Sequence, residues 1–198
     1  MRALKRQLGL HLYVLQVRAQ DPDAAVAPLP PAVSLRIASR EELLRASTDP
    51  VLALAPESIE AALDRGDLCV AAFEGERLIA YVWRAFGPTP AEDGLWITVP
   101  KPFRYGYKSF TRPEYRGRHI QQALSFSTDQ LCLERGFTQG LSYVETHNYP
   151  SLMSNLRHGN RTVGYLGYFK WFDRRLTFRS PGARRLGVRF FLPTTRRS

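Results

Sequence analysis

An α/β fold with a mixed, mostly antiparallel sheet covered by helices is the architecture this sequence predicts. Strand-like and helix-like segments alternate along most of the chain, the pattern of a sheet flanked by helices. A hairpin, LCVAAFEGERLIAYVWRAF, interrupts the alternation, which a purely parallel sheet does not accommodate. The chain has 198 residues, 44% of them hydrophobic and 12% aromatic, which suits one domain with a packed core and short extensions.

The elements follow in order. LHLYVLQVRA (10–19) reads as a strand, and AQDPDAAVAPLPPA (19–32) as a Pro/Ala-rich linker or edge-covering loop. VSLRIAS (33–39) is a second strand. Ser39 followed by REELLRAS marks a helix start, with Glu42 three residues after the candidate cap. APESIEAALDRGD gives a short helix stopped by Gly66. The hairpin turns around Glu74-Gly75-Glu76. GPTPAEDG is a loop. LWITVPKPFRYGYKSFTR is a long β segment broken by two prolines and a glycine, so it predicts a bulge or kink. A helix is expected from about Arg116 to Arg135, because Ile120, Ala123, Leu124, Ser127 and Leu131 keep helical spacing and Gly136 ends it. TQGLSYVET is a strand. Asn148 to His158 is a short helix, capped by Asn148 or Tyr149, with Pro150 in its first turn. TVGYLGYFKWF is a strand and RRLGVRFFL another. The expected organisation is residues 1–32 as an N-terminal strand and linker, then residues 33–198 as the main domain, basic from about residue 174.

The formal charge is +10. Residues 1–155 hold 17 Lys/Arg against 17 Asp/Glu, whereas residues 156–198 hold 11 Lys/Arg against Asp173 alone. A basic end on a neutral body attracts nucleic acid, phosphates or an anionic surface; it is equally what a solvated TTRRS tail and arginine-guarded strand edges look like. No apolar run is long enough to span a bilayer. The basic and then apolar N-terminus lacks a small-residue cleavage site and reads as a strand. Cys69 and Cys132 lie in apolar patterns and read as buried thiols, so a cytoplasmic location is expected. His11, His119, His147 and His158 show no metal-ligand spacing with the cysteines, and no metal is expected.

The informative stretch is TRPEYRGRHIQQAL (111–124). An Arg-Gly-Arg before a helix is either a solvated turn or a phosphate cradle. The first N–H groups of a helix lack internal partners, and the helix dipole adds positive potential there. A pyrophosphate satisfies both when no side chain blocks its approach. Glycine lets the loop come close, and arginine grips phosphate bidentately.

This stretch, followed by a strand, Asn-Tyr-Pro-Ser, a helix, His-Gly-Asn and a further strand, resembles the GNAT superfamily of acyl-CoA-dependent N-acyltransferases. The resemblance covers roughly residues 33–171, strongest over Pro113-Glu114-Tyr115-Arg116-Gly117-Arg118-His119-Ile120. It implies acetyl-CoA or another acyl-CoA as co-substrate. Phe110, Thr111 and Arg112 would bind the pantetheine arm through backbone, Arg116, Gly117, Arg118, His119, Ile120 and Gln121 the pyrophosphate, and Asn148 the pantetheine from the following helix. It also implies a splayed strand pair holding the thioester, and transfer of the acyl group to a primary amine of a small molecule, an amino sugar or a protein.

The chain departs from the family's pattern in three places. His119 and Gln121 stand where the loop usually has small residues. Asn155 stands where many members carry the tyrosine that protonates the leaving thiolate. No Asp or Glu occurs between Gly94 and Pro113 to act as general base from the long strand. The remaining candidates are Glu145 and His147, which alternation puts on one side, and Tyr107 or Tyr105, which read equally as core or substrate-wall residues. A catalytically inactive module binding nucleic acid or an anionic surface through residues 156–198 is the alternative. The oligomeric state stays open.

Overall fold

The computed structural model describes residues 9–25, 28–172 and 174–193; the first eight residues and the TTRRS tail lie outside the described residues. Its contacts divide into two units. The central unit comprises Gln20–Phe86 and Arg104–Thr138, and the terminal unit Met1–Ala19, Gly87–Phe103 and Gln139–Ser198.

In the central unit, strands β2 (Val33–Ile37), β3 (Leu68–Glu74), β4 (Arg77–Ala85) and β7 (Phe103–Thr111, all but its first residue in this unit) pair antiparallel in the order β7-β4-β3-β2. Alternation along β3 and β4 sorts their side chains to two faces. On one, Cys69, Ala71, Phe73, Tyr81 and Trp83 pack against α1 (Arg40–Ala46) and α2 (Pro56–Asp64) through Leu43 and Ile59. On the other, Val70, Ala72, Ile79 and Val82 pack against Tyr115, Ile120 and Leu124 of the segment that follows β7. Both faces are therefore covered, and each fully buried large apolar side chain contributes roughly 1.5–3 kcal/mol. Ser39 caps α1 through a complete capping box with Glu42, a device worth about 1 kcal/mol.

The break expected in the long β segment is present. The β4–β7 register shifts between Tyr81 and Trp83, and Lys108 on the facing stretch has φ +44°. The bulge thus falls at Lys108, not at Gly106, because a left-handed residue adds the extra step that a bulge needs. The helix expected from residue 116 is shorter and interrupted: α3 runs Ile120–Phe126 and α4 runs Asp129–Glu134. The expected start lay four residues before the first periodic position, Ile120, and those four residues fold as a loop.

In the terminal unit, β1 (Leu10–Ala19), β8 (Gln139–Glu145), β9 (Arg161–Trp171) and β10 (Arg174–Arg179) pair antiparallel in the order β10-β9-β1-β8. The N-terminal strand is thus an interior strand, bonded on both sides. A small sheet, β11 (Arg189–Phe191), β6 (Trp96–Thr98) and β5 (Thr89–Pro90), belongs to the same unit. Tyr13, Tyr143, Tyr168 and Phe190 meet edge to face and stacked, with ring centroids 5.1 Å apart for Tyr13–Tyr143 and 5.7 Å for Tyr13–Phe190. The helices here are α5 (Tyr149–Arg157) and α6 (Pro181–Arg185). RRLGVRFFL, read as one strand, is divided: Ser180 caps α6, which takes Arg184 and Arg185, and only Arg189–Phe191 is extended. The strand β10 was not read from the sequence, because RRLTFR holds only Leu176 and Phe178 as apolar residues among three arginines and a threonine. No helix of the described residues is long and apolar enough to cross a membrane.

Candidate functional site

The loop between β7 and α3 is held from beneath by side chains that its own sequence supplies. Arg112 is buried and points inward. Its Nε–H donates to the Leu78 carbonyl at 2.8 Å, its guanidinium pairs with Asp49, and its backbone N–H donates to Ile79 at 2.9 Å. That contact holds the Asp49 carboxyl below the ordinary carboxylate range. Tyr115 is buried and its hydroxyl donates to Glu74, while Glu114 pairs with Arg77 at 2.9 Å. A single 3-10 turn, Pro113–Tyr115, links these anchors.

Above the anchors the chain is exposed from Arg116 to His119. Gly117 has φ +77°, and a Cβ built there would meet nothing within 4 Å. Glycine is required by its backbone conformation, and the space beside it is open. His119 has φ +58° and occupies the position before α3 without a side-chain cap bond. Histidine is among the non-glycine residues that tolerate this region. Arg118 lies over the Tyr115 ring at 5.3 Å, and Arg116 Nε–H donates to Thr111 at 3.3 Å. The loop therefore presents two guanidinium groups, two left-handed residues and the start of a helix to solvent. This composition fits an anion.

Gln121 does not face that rim. Its Nε2 donates to the Phe110 carbonyl at 2.7 Å and to Thr111 Oγ1 at 2.8 Å. It ties the first turn of α3 to the end of β7, work a small residue cannot do. Phe110 stacks on Tyr81 at 5.9 Å.

Tyr107, the aromatic candidate on β7, is hydrogen-bonded to a residue that the sequence reading passed over. Its hydroxyl donates to Asp67 Oδ2 at 2.7 Å, and Arg65 donates to the same oxygen at 2.8 Å. Asp67 is buried, and that burial raises its carboxyl above its ordinary value despite both donors. Burial also raises the Tyr107 phenol, and Asp67 raises it further. Trp83 and Tyr105 both stack on Tyr107, at 6.2 and 5.5 Å. The signal for Asp67 was present: a carboxylate set directly between a helix stop and the uninterrupted apolar run LCVAAF has little water to turn to.

In the terminal unit, Glu145 and His147 are brought together, with Nε2 and Oε2 3.0 Å apart and both partly exposed. Asn148 caps α5, its Oδ1 accepting from Ser151 N–H at 3.3 Å. Asn155 is a cross-tie: its Nδ2 donates to Gln16 Oε1 at 2.9 Å and to Ser142 Oγ at 3.3 Å, and its carbonyl accepts from Asn160. It joins α5 to β1 and β8, which accounts for an amide in place of a phenol. No group of three metal-ligating side chains occurs among the described residues. Cys69 and Cys132 are buried and free, and burial pushes the Cys69 thiol up, away from nucleophilic use.

No protein-family model matches the chain, and no curated protein sequence matches it. Solved structures do. A tandem GNAT protein from the clavulanic acid biosynthesis pathway superposes with TM-score 0.55 at 16% identity, over 90% of this chain and 57% of its own. A GCN5-related N-acetyltransferase-like protein from Streptococcus suis gives 0.52 at 15% identity, over 86% and 66%. The aminoglycoside N-acetyltransferase AAC(6')-Iy, solved in complex with CoA, gives 0.50 at 13% identity, over 74% and 98%. The chain thus spans less than two thirds of the length of the first two. The fold is that of GNAT acetyltransferases: mixed α/β, with a mostly antiparallel sheet flanked by helices.

Proposed function

We propose that this chain transfers an acetyl or other acyl group from acyl-CoA to a primary amine. The observation that carries the reading is the loop Arg112–His119, built on buried anchors and opened at Arg116-Gly117-Arg118, at the start of a helix in a GNAT fold. In this reading Arg116 to Gln121 hold the pyrophosphate through backbone N–H groups and the two exposed guanidinium groups. Phe110, Thr111 and Arg112 offer backbone to the pantetheine. The Phe110 carbonyl keeps a lone pair for this after accepting from Gln121.

The chemistry is attack of the neutral amine nitrogen on the thioester carbon. The C–N bond forms, the nitrogen of the tetrahedral adduct releases its second proton to solvent, the C–S bond breaks and the thiolate leaves. Holding the two reactants together supplies much of the acceleration. The ammonium must first lose a proton. Tyr107 passes it to Asp67, whose desolvated carboxylate is the stronger base for being buried. Glu145 with His147 is the second pair able to take it. Asn155 has no proton to give the thiolate, and its side chain is committed to Gln16 and Ser142; solvent protonates the leaving group. The acceptor is a small molecule, an amino sugar or a protein amine.

Thermal melting with acetyl-CoA, longer acyl-CoAs and free CoA tests the reading. A ligand present at about a hundred times its dissociation constant stabilises by about 2.7 kcal/mol, a rise of several degrees. No shift at saturating ligand would overturn the assignment of the loop. Thiol release across an amine panel then identifies the acceptor.

A further inference from the structure

The hairpin formed by β9 and β10 carries a surface that acyl transfer does not use. Cross-strand pairing sets Phe169 opposite Leu176 and Gly167 opposite Phe178, and alternation adds Trp171 to the same face. Trp171 is 59% exposed, Leu176 62% and Phe178 42%. The turn itself is Phe172, 84% exposed and with φ +48°. A bulky residue in the left-handed region is an outlier, held there against its backbone preference. Glycine or asparagine would turn the hairpin without strain. The phenylalanine is thus displayed at a backbone cost, beside Trp171 at 5.8 Å.

The two strands carry basic charge near the turn, and Asp173 is the single acidic residue of the sequence between them. Lys170, Arg174, Arg175 and Arg179 belong to the two strands. Beside them a cavity of about 360 Å³ is lined by Arg175, Arg179 and Arg189 with Phe178 and Phe190, and none of its lining residues is acidic. Arg179 donates to the Val188 carbonyl, and neither it nor Arg189 meets a carboxylate among the described residues.

We propose that this hairpin docks the protein on an anionic lipid bilayer. Trp171, Phe172 and Leu176 enter the headgroup layer, where aromatic side chains settle. Arg174 on the Trp171 face, and Lys170 with Arg175 on the opposite one, flank the turn and meet the lipid phosphates. A second copy of the chain is the poorer occupant, since it would set one basic hairpin against another. An acidic protein partner would need a recess shaped to a protruding turn, whereas a bilayer admits such a turn anywhere on its surface.

Vesicle binding decides the matter, with no acyl-CoA present, so that the result is independent of the catalytic reading. Of the three tryptophans, Trp83 is buried and Trp96 partly so; Trp171 is therefore the reporter. Its emission should shift to the blue with phosphatidylcholine vesicles containing phosphatidylserine, and stay unchanged with phosphatidylcholine alone. Phe172→Gly relieves the backbone outlier, so it should melt no lower than the parent and yet bind the anionic vesicles more weakly. Replacing Lys170 and Arg174 by glutamine should weaken binding by about thirtyfold, given the usual contribution of a basic residue near an anionic surface. Equal binding to neutral vesicles, or binding to neither kind, would overturn the proposal. So would undiminished binding by the folded Phe172→Gly variant, or light scattering that shows the hairpin buried in a dimer. Binding to nucleic acid or to an acidic protein without binding to vesicles would assign the surface to that class instead.

Discussion

Replacing Tyr107 by phenylalanine removes one oxygen and keeps the ring that stacks with Trp83 and with Tyr105. What changes is the supply of donors to Asp67, a carboxylate only 3% exposed. Losing a hydrogen bond to a charged, buried group costs about 1.5–3 kcal/mol. In a chain of this size each kcal/mol lowers the melting temperature by about 2–4 °C, so a fall of roughly 3–12 °C is expected near neutral pH. The pH dependence follows from the direction of the Asp67 shift. Its folded carboxyl titrates above its ordinary value of 3.8. In that window the folded state binds more protons than the unfolded state, so the Asp67 contribution falls as pH rises through it. Below the window the carboxyl is neutral in both states and needs the phenol least. The penalty of Tyr107→Phe should therefore be small in acid and grow as pH rises above the ordinary carboxylate value. Parallel melts of parent and variant across that range measure it. A pH-independent difference, or none at all, would mean that the phenol and the carboxylate are not joined as described. If the pair also takes the ammonium proton, the same variant should lower kcat with little change in the KM for acyl-CoA.

Gly117→Ala places a Cβ in open space but at φ +77°, so it should cost about 1–2 kcal/mol from backbone alone, and the melting shift given by acetyl-CoA should shrink beyond that cost if the pyrophosphate lies there. Asn155→Ala removes the donor to Gln16 and Ser142; a loss of about 1–3 kcal/mol by urea titration is expected, with turnover per folded molecule unchanged. Gly182→Ala would drive a Cβ into the Val163 carbonyl. Melting should fall by the equivalent of at least 1–3 kcal/mol, as overpacked sites do. Arg112→Leu would strand the Leu78 carbonyl and free Asp49; a destabilisation of about 1.5–3 kcal/mol and a loss of the acetyl-CoA shift should appear together, because this side chain supports the loop from below.

The fold was legible wherever a periodic pattern met a terminator. Ser39 with Glu42, Gly66 and the hairpin turn at Glu74-Gly75-Glu76 each left a local signature, and each element formed as read. The misread boundaries share a cause. Residues 116–119 carry no apolar repeat of their own and were attached to the helix that follows, while the anchors that hold them as a loop, Leu78 and Asp49 for Arg112 and Glu74 for Tyr115, lie 34 to 63 positions away. The site divides in the same way. Arg116, Gly117 and Arg118 stood out because their types suit an exposed phosphate loop. Arg112 and Gln121 stood beside them with types equally suited, yet their donors face inward to carbonyls and a carboxylate. The orientation of a side chain depends on partners that are distant in sequence, so residue type alone could not separate the two sets. Asp67 was overlooked for the same reason, its phenol partner being 40 residues away.

The interior position of β1 has a consequence for how the molecule is made. Among the described residues the strand precedes every other regular element, but its neighbours β8 and β9 come after residue 138. The central unit, closed by residue 138, can settle while β1 still lacks both partners. During that interval two bare strand edges and the apolar stripe of Tyr13, Leu15 and Val17 are open to any other chain, which is the situation that invites misassembly. Pairings separated by 120 residues or more are also slow to find. Folding of the terminal unit is thus a late step that waits on the arrival of its last segment, and the yield of native protein should depend on how long the first strand is kept apart from others.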